Sequence, residues 1–106
     1  MMRENYVIEE IKSTARQVLP AGSHLYLYGS RARGDAHKGS DWDLLLLLDK
    51  LKIEESDFDN YSFPFMMLGW NYGEVISPQI YTKREWDEMS FMPYYKNVEH
   101  DKIVLQ

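Results

Sequence analysis

The 106-residue sequence contains no cysteine, which excludes disulfides, thiolate metal ligands and cysteine nucleophiles together. Glycine and proline are also scarce, at six and four residues, too few for a disordered chain. The longest uninterrupted apolar run is Leu44 to Leu48, far below the ~20 residues that a membrane-spanning helix needs. Positive charge is in deficit: 12 Lys and Arg stand against 17 Asp and Glu, for a net charge of −5. Such a surface does not attract a nucleic-acid backbone. A small nucleotide carried with a metal ion stays compatible, because the cation brings the positive charge. The start, Met1-Met2-Arg3-Glu4-Asn5, leads into no apolar signal region, so the expected location is the cytoplasm.

What is present fits one globular domain over residues 1–106. Ile8, Ile11, Ala15, Val18 and Leu19 recur at steps of three and four, which predicts an amphipathic helix over about residues 4–18, ended by Pro20-Ala21-Gly22. His24 to Tyr28 alternates and reads as a strand. Gly29-Ser30 breaks it, Arg31 to Arg33 forms a helical turn, and Gly34 to Ser40 is a polar loop. Asp41 to Asp49 is a second strand; five leucines without alternation place it centrally, covered on both faces. A helix is expected between residues 54 and 69, against the objection of Pro64. Val75 to Thr82 is a third strand in which Pro78 marks an edge or a bulge. Thr82-Lys83-Arg84-Glu85 has the form of a capping box for a short helix carrying Trp86 and Met89. Residues 93–106 read as a tail with an apolar end, Ile103-Val104-Leu105.

The chemistry concentrates between Tyr28 and Asp49. Gly29 lets a backbone approach a phosphate closely, because no Cβ stands in the way. Ser30 offers an N–H and a hydroxyl to phosphate oxygens at the start of a helical turn. Asp41 and Asp43, two apart on a strand, point to one face. Two such carboxylates can hold hard divalent cations with substrate phosphates, and a metal pair can activate a hydroxyl and stabilise leaving pyrophosphate. Arg31 and Arg33 are candidates for pairing with triphosphate oxygens.

The pattern G-S-x10-D-x-D, with Arg31-Ala32-Arg33-Gly34 and Ser40-Asp41-x-Asp43-Leu44 around it, resembles the minimal nucleotidyltransferase family of the DNA polymerase beta superfamily. The resemblance implies an α/β (α+β) fold, a short mixed β-sheet backed by helices. It implies Mg²⁺ or Mn²⁺ and a nucleoside triphosphate, ATP, as metal and substrate. Gly29 and Ser30 match residues that hold the β- and γ-phosphates in the family; Asp41 and Asp43 match its metal-binding catalytic acids. Active members carry a third carboxylate on a neighbouring strand. Here alignment on Tyr81-Thr82-Lys83 puts Gln79 at that position, and Gln is a poor base. Glu74 is the nearest acid, at the wrong end of the strand for a simple exchange.

Each feature has a plainer reading. Gly29-Ser30 alone is a turn, and the Asp pair alone is a solvated strand entrance; their joint spacing favours the site. His37 and Lys38 read as solvated, and Trp42 as core. Tyr26 and Tyr28 read as packing under the first helix rather than stacking on a base. The Phe63 to Leu68 cluster reads as core, or as a partner surface if exposed. The leading expectation is transfer of AMP from ATP to a hydroxyl of a partner protein or small molecule. The resemblance adds a helical HEPN-type partner, with this chain as the antitoxin of the pair. The alternative is a nucleotide-binding interaction protein without turnover, and a weaker third reading is a homo-oligomeric sensor.

Overall fold

Helix α1 (Arg3–Val18) forms where three-and-four spacing stacks Val7, Ile11 and Ala15 on one side, and all three are buried. The computed structural model describes residues 3–106. Strand β1 (His24–Tyr28) follows, and its alternation sends Leu25 and Leu27 into the core shared with α1. Tyr26 and Tyr28 therefore face the other way, into a second cluster. They do not pack under the first helix. A single turn, α2 (Ser30–Arg33), leads through a loop to β2 (Trp42–Leu48). All five leucines are buried, as the unbroken apolar run requires of an inner strand.

The chain then runs helically from residue 55 to 72, as α3 (Glu55–Asp57), a π-helical segment (Phe58–Ser62) and α4 (Phe63–Tyr72). Pro64 has no N–H to donate. The ladder widens just before it, with the Phe63 N–H donating to the Phe58 carbonyl. Pro64 thus falls in the first turn of α4, where a missing donor costs least. This helical connection is the crossover that a parallel strand pair needs. Strand β3 (Ile76–Thr82) duly lies parallel to β2. Pro78 is tolerated because β3 is an edge strand. The capping box is formed: the Glu85 N–H donates to Thr82 Oγ1 and the Thr82 N–H to the Glu85 carboxylate, opening α5 (Lys83–Glu88).

Residues 93–106 are not a tail. They form α6 (Pro93–Asp101) and a two-residue strand, β4 (Ile103–Val104), which pairs antiparallel with β1. The apolar stripe of α6 is carried by Tyr94, Tyr95 and Val98, so its periodicity is faint in sequence. The mixed sheet has the order β3-β2-β1-β4. One face packs on α1 and α4 around Leu44, Leu46 and Phe65. The other packs Leu45 and Leu47 against Trp86 and Val98 within a ring of tyrosines. No described helix is long and apolar enough to cross a membrane.

Helix α4 reaches the sheet through Gly69. A Cβ there would sit 2.7 Å from the Glu74 carbonyl oxygen and 3.1 Å from Ile76 Cγ1. Gly69→Ala is therefore expected to cost about 1–3 kcal/mol by forcing α4 off β3. Asn71→Ala, on the exposed side, should stay within ~0.5 kcal/mol. Urea unfolding of both variants checks this.

Candidate active site

The antiparallel register places Tyr28 opposite Asp43, so the turn leaving β1 comes to lie against the start of β2. Gly29 has φ 75° and ψ −159°, a conformation that L side chains rarely adopt. A Cβ at Gly29 would also collide with Asp43 Oδ2. Two independent demands thus require glycine: the backbone conformation and the carboxylate resting on its α-carbon. Ser30 begins α2 directly beside this contact. Asp41 stands exposed just ahead of β2. Gly29, Ser30, Asp41 and Asp43 are all brought to one end of the sheet.

The ten intervening residues are clamped by Arg31. Its Nε and Nη2 donate to the Ser40 carbonyl at 3.3 and 3.1 Å. Its guanidinium lies 4.4 Å from the centre of the Trp42 ring and pairs with Glu74 Oε1 at 3.6 Å. Trp42 Nε1 donates to the same Glu74 oxygen at 2.8 Å. The Arg31 and Glu74 side chains are only 7% and 13% exposed. This cluster sits behind Asp41, on the face of β2 opposite Asp43. Arg31 and Glu74 are thereby committed to holding the loop. Arg33 lies on the Asp43 side and pairs with Asp35 at 3.2 Å and Asp101 of α6 at 2.8 Å.

Parallel pairing sets Ser77 beside Asp43 and Gln79 beside Leu45. Gln79 shares the face of Asp43 but lies one pleat further along, exposed. On that same face the Tyr28 and Tyr94 hydroxyls are 3.0 Å apart. Burial pushes both phenols above their ordinary value; Asp43 and Tyr81 add to this, while the Tyr94 hydrogen bond lowers Tyr28. Burial likewise raises the Asp43 carboxyl above the ordinary carboxylate value, Asp41 adds to it, and Arg33 opposes it. The aspartate pair is short of positive charge.

A cleft of about 610 Å³ opens on the side of the Arg31 cluster, lined by Arg31, Trp42 and Glu74 together with Lys38 and Val75. A larger one, about 830 Å³, lies at the far end of β2, between Leu48 to Leu51 and α5. Neither cleft is lined by any of the four site residues. Several charged groups of the larger one already pair, Lys50 with Glu54 and Asp57 and Arg84 with Glu88.

A nucleotidyltransferase-domain family model matches residues 8–103. The chain belongs to the nucleotidyltransferase domain family. Two solved structures share its fold. A toxin–antitoxin structure with AMP-PNP superposes with a TM-score of 0.67 at 18% identity, over 99% of this chain and 73% of that one. A Sulfolobus solfataricus structure, provisionally assigned as a nucleotidyltransferase, gives 0.59 at 21% identity, over 95% and 80%. No curated protein matches the chain.

Nucleotidyltransferase domains work with a nucleotide and a divalent cation. Among the described residues no three of His, Asp and Glu converge on a cation position. Two carboxylates nevertheless suit Mg²⁺, which keeps much of its shell for water and substrate phosphates. The raised Asp43 carboxyl fits that need, since a cation would relieve the repulsion from Asp41. Sequence reasoning missed Ser77, the tyrosine ring and the Arg31 clamp. A helical crossover between β2 and β3 dictates parallel pairing and so puts the start of β3 beside the start of β2, but only the observed register singles out Ser77.

Loss of the Arg31 guanidinium leaves the Glu74 carboxylate buried without its cation. Arg31→Ala is expected to cost about 3 kcal/mol. Arg31→Lys should recover less than half of it, lacking the planar fork that stacks on Trp42 and bonds Ser40 together. Chemical denaturation of the two variants measures the difference.

Proposed function

We propose that this nucleotidyltransferase domain transfers AMP from ATP to a hydroxyl presented by a partner protein, as the antitoxin of a toxin–antitoxin pair whose partner is a helical HEPN-type protein. The observation that carries the reading is the Asp43 carboxylate resting on Gly29, which joins a phosphate-binding turn to a carboxylate pair. Ser30 would donate its N–H and hydroxyl to the β- and γ-phosphate oxygens. Arg33, on the Asp43 side, would exchange Asp35 for a phosphate oxygen. Asp41 and Asp43 would hold Mg²⁺ or Mn²⁺, which would supply charge neutralisation for the transferred phosphate and the leaving pyrophosphate. The acceptor oxygen attacks the α-phosphorus, the bond to the bridging oxygen breaks, and pyrophosphate departs.

The proton of the attacking hydroxyl is the weak point. Ser77 stands where β3 comes alongside Asp43, and serine is no base at neutral pH. The proton then passes to water, and turnover is slow for want of the ~10²–10⁴-fold that a positioned base contributes. The same residue favours a second reading, a nucleotide-binding partner protein that does not turn over. Labelled ATP, Mg²⁺ and the protein encoded by the adjacent gene separate the two. Transfer of label with release of pyrophosphate, lost in the Asp41→Ala, Asp43→Ala double variant, supports the enzyme. Nucleotide that binds and never transfers supports the second reading.

The register yields a sharper expectation. Ser77→Asp should raise the transfer rate about tenfold or more, whereas Gln79→Asp, one pleat away, should leave it within about twofold of the parent. An initial-rate comparison decides it.

A further inference from the structure

Helix α4 is apolar all round, but the sheet covers only one side of it. Phe65 and Gly69 are buried, whereas Phe63, Met66, Met67 and Trp70 are exposed. These four recur at helical steps along the outer face, and the Phe63 and Trp70 rings meet edge to face at 5.7 Å. Phe58, one π-turn earlier, extends the stripe. Together they expose on the order of 500 Å² of apolar surface, at the upper end for a free monomer. Such a stripe on a helix packs best against another helix.

Charge selects the occupant. From Ile53 to Thr82 there is no Lys, Arg or His, and there are five acids. Glu54 and Asp57 pair with Lys50, and Glu74 with Arg31. Glu55 and Asp59 remain exposed on the turns that lead into the stripe. In a two-fold dimer the patch would meet itself, and with no cation between Ile53 and Thr82 these acids would find no opposite charge across the interface. A different protein with basic residues beside its apolar ridge gains where a second copy loses.

We infer that the outer face of α4 is the docking surface for a partner's amphipathic helix whose apolar stripe is bordered by lysine or arginine. This goes beyond the transferase reading. The stripe lies across the sheet from Asp43, and docking requires no turnover.

Trp70 makes the test direct, being 63% exposed while Trp42 and Trp86 are at 1% and 2%. Two synthetic amphipathic helical peptides with the same leucine stripe, one bordered by lysines and one by glutamates, are titrated into the full chain. The expected result is a saturable blue shift of Trp70 emission with the lysine peptide, at least tenfold weaker with the glutamate peptide. Met67→Glu, an exposed change that leaves the circular dichroism intact, should weaken lysine-peptide binding at least tenfold. The Asp41→Ala, Asp43→Ala variant should bind it as the parent does, so loss of transfer and loss of docking are told apart. Equal response to both peptides, or no effect of Met67→Glu, overturns the proposal. So does sedimentation showing a dimer at tens of micromolar whose formation alone shifts Trp70.

Discussion

The site depends on one close approach, the Asp43 carboxylate against the α-carbon of Gly29. No other residue type permits it, since any Cβ would occupy the space of Asp43 Oδ2 and would meet a backbone at positive φ. The approach follows from the pairing of Tyr28 with Asp43, which in turn follows from five leucines that make β2 an inner strand. Core burial and site geometry are therefore coupled. A register slip between β1 and β2 would turn every leucine to the other face and part Gly29 from Asp43 in the same step.

The two faces of the sheet divide the labour. Behind β2, the Arg31, Trp42 and Glu74 cluster holds the Ser40 carbonyl and so the approach to Asp41. In front, Arg33 ties the site to α6 through Asp101. The C-terminal helix thus reaches the arginine on the Asp43 side, although nothing in its composition resembles a catalytic element. The buried ion pair behind the strand is not a source of net stability, since desolvation offsets most of its Coulomb energy. Its contribution is to fix one loop conformation.

The local patterns were legible in the sequence. The helix stripe of α1, the inner-strand leucines, the capping box at Thr82 and the edge position of Pro78 each rest on short-range rules. So does the spacing that joins Gly29-Ser30 to Asp41 and Asp43. What escaped was whatever depends on pairing between distant segments. Ser77 rather than Gln79 flanks Asp43 because the register is parallel and counted from Trp42 opposite Ile76. Arg31 and Glu74 meet only after the crossover brings residue 74 back beside residue 42. The helix of residues 93–101 hid behind tyrosines, whose amphipathic rings blur the periodicity, and the inward side of Tyr28 was unreadable without its partner Tyr94.

The proposed metal-nucleotide site comprises Gly29, Ser30, Asp41 and Asp43. A crystal structure with Mn²⁺ and the α,β-methylene analogue of ATP tests it most directly. Anomalous density for manganese is expected between Asp41 and Asp43, with the β- and γ-phosphates against the backbone of Gly29 and Ser30. A nucleotide bound in the cleft at the far end of β2, or manganese away from the aspartate pair, would contradict it.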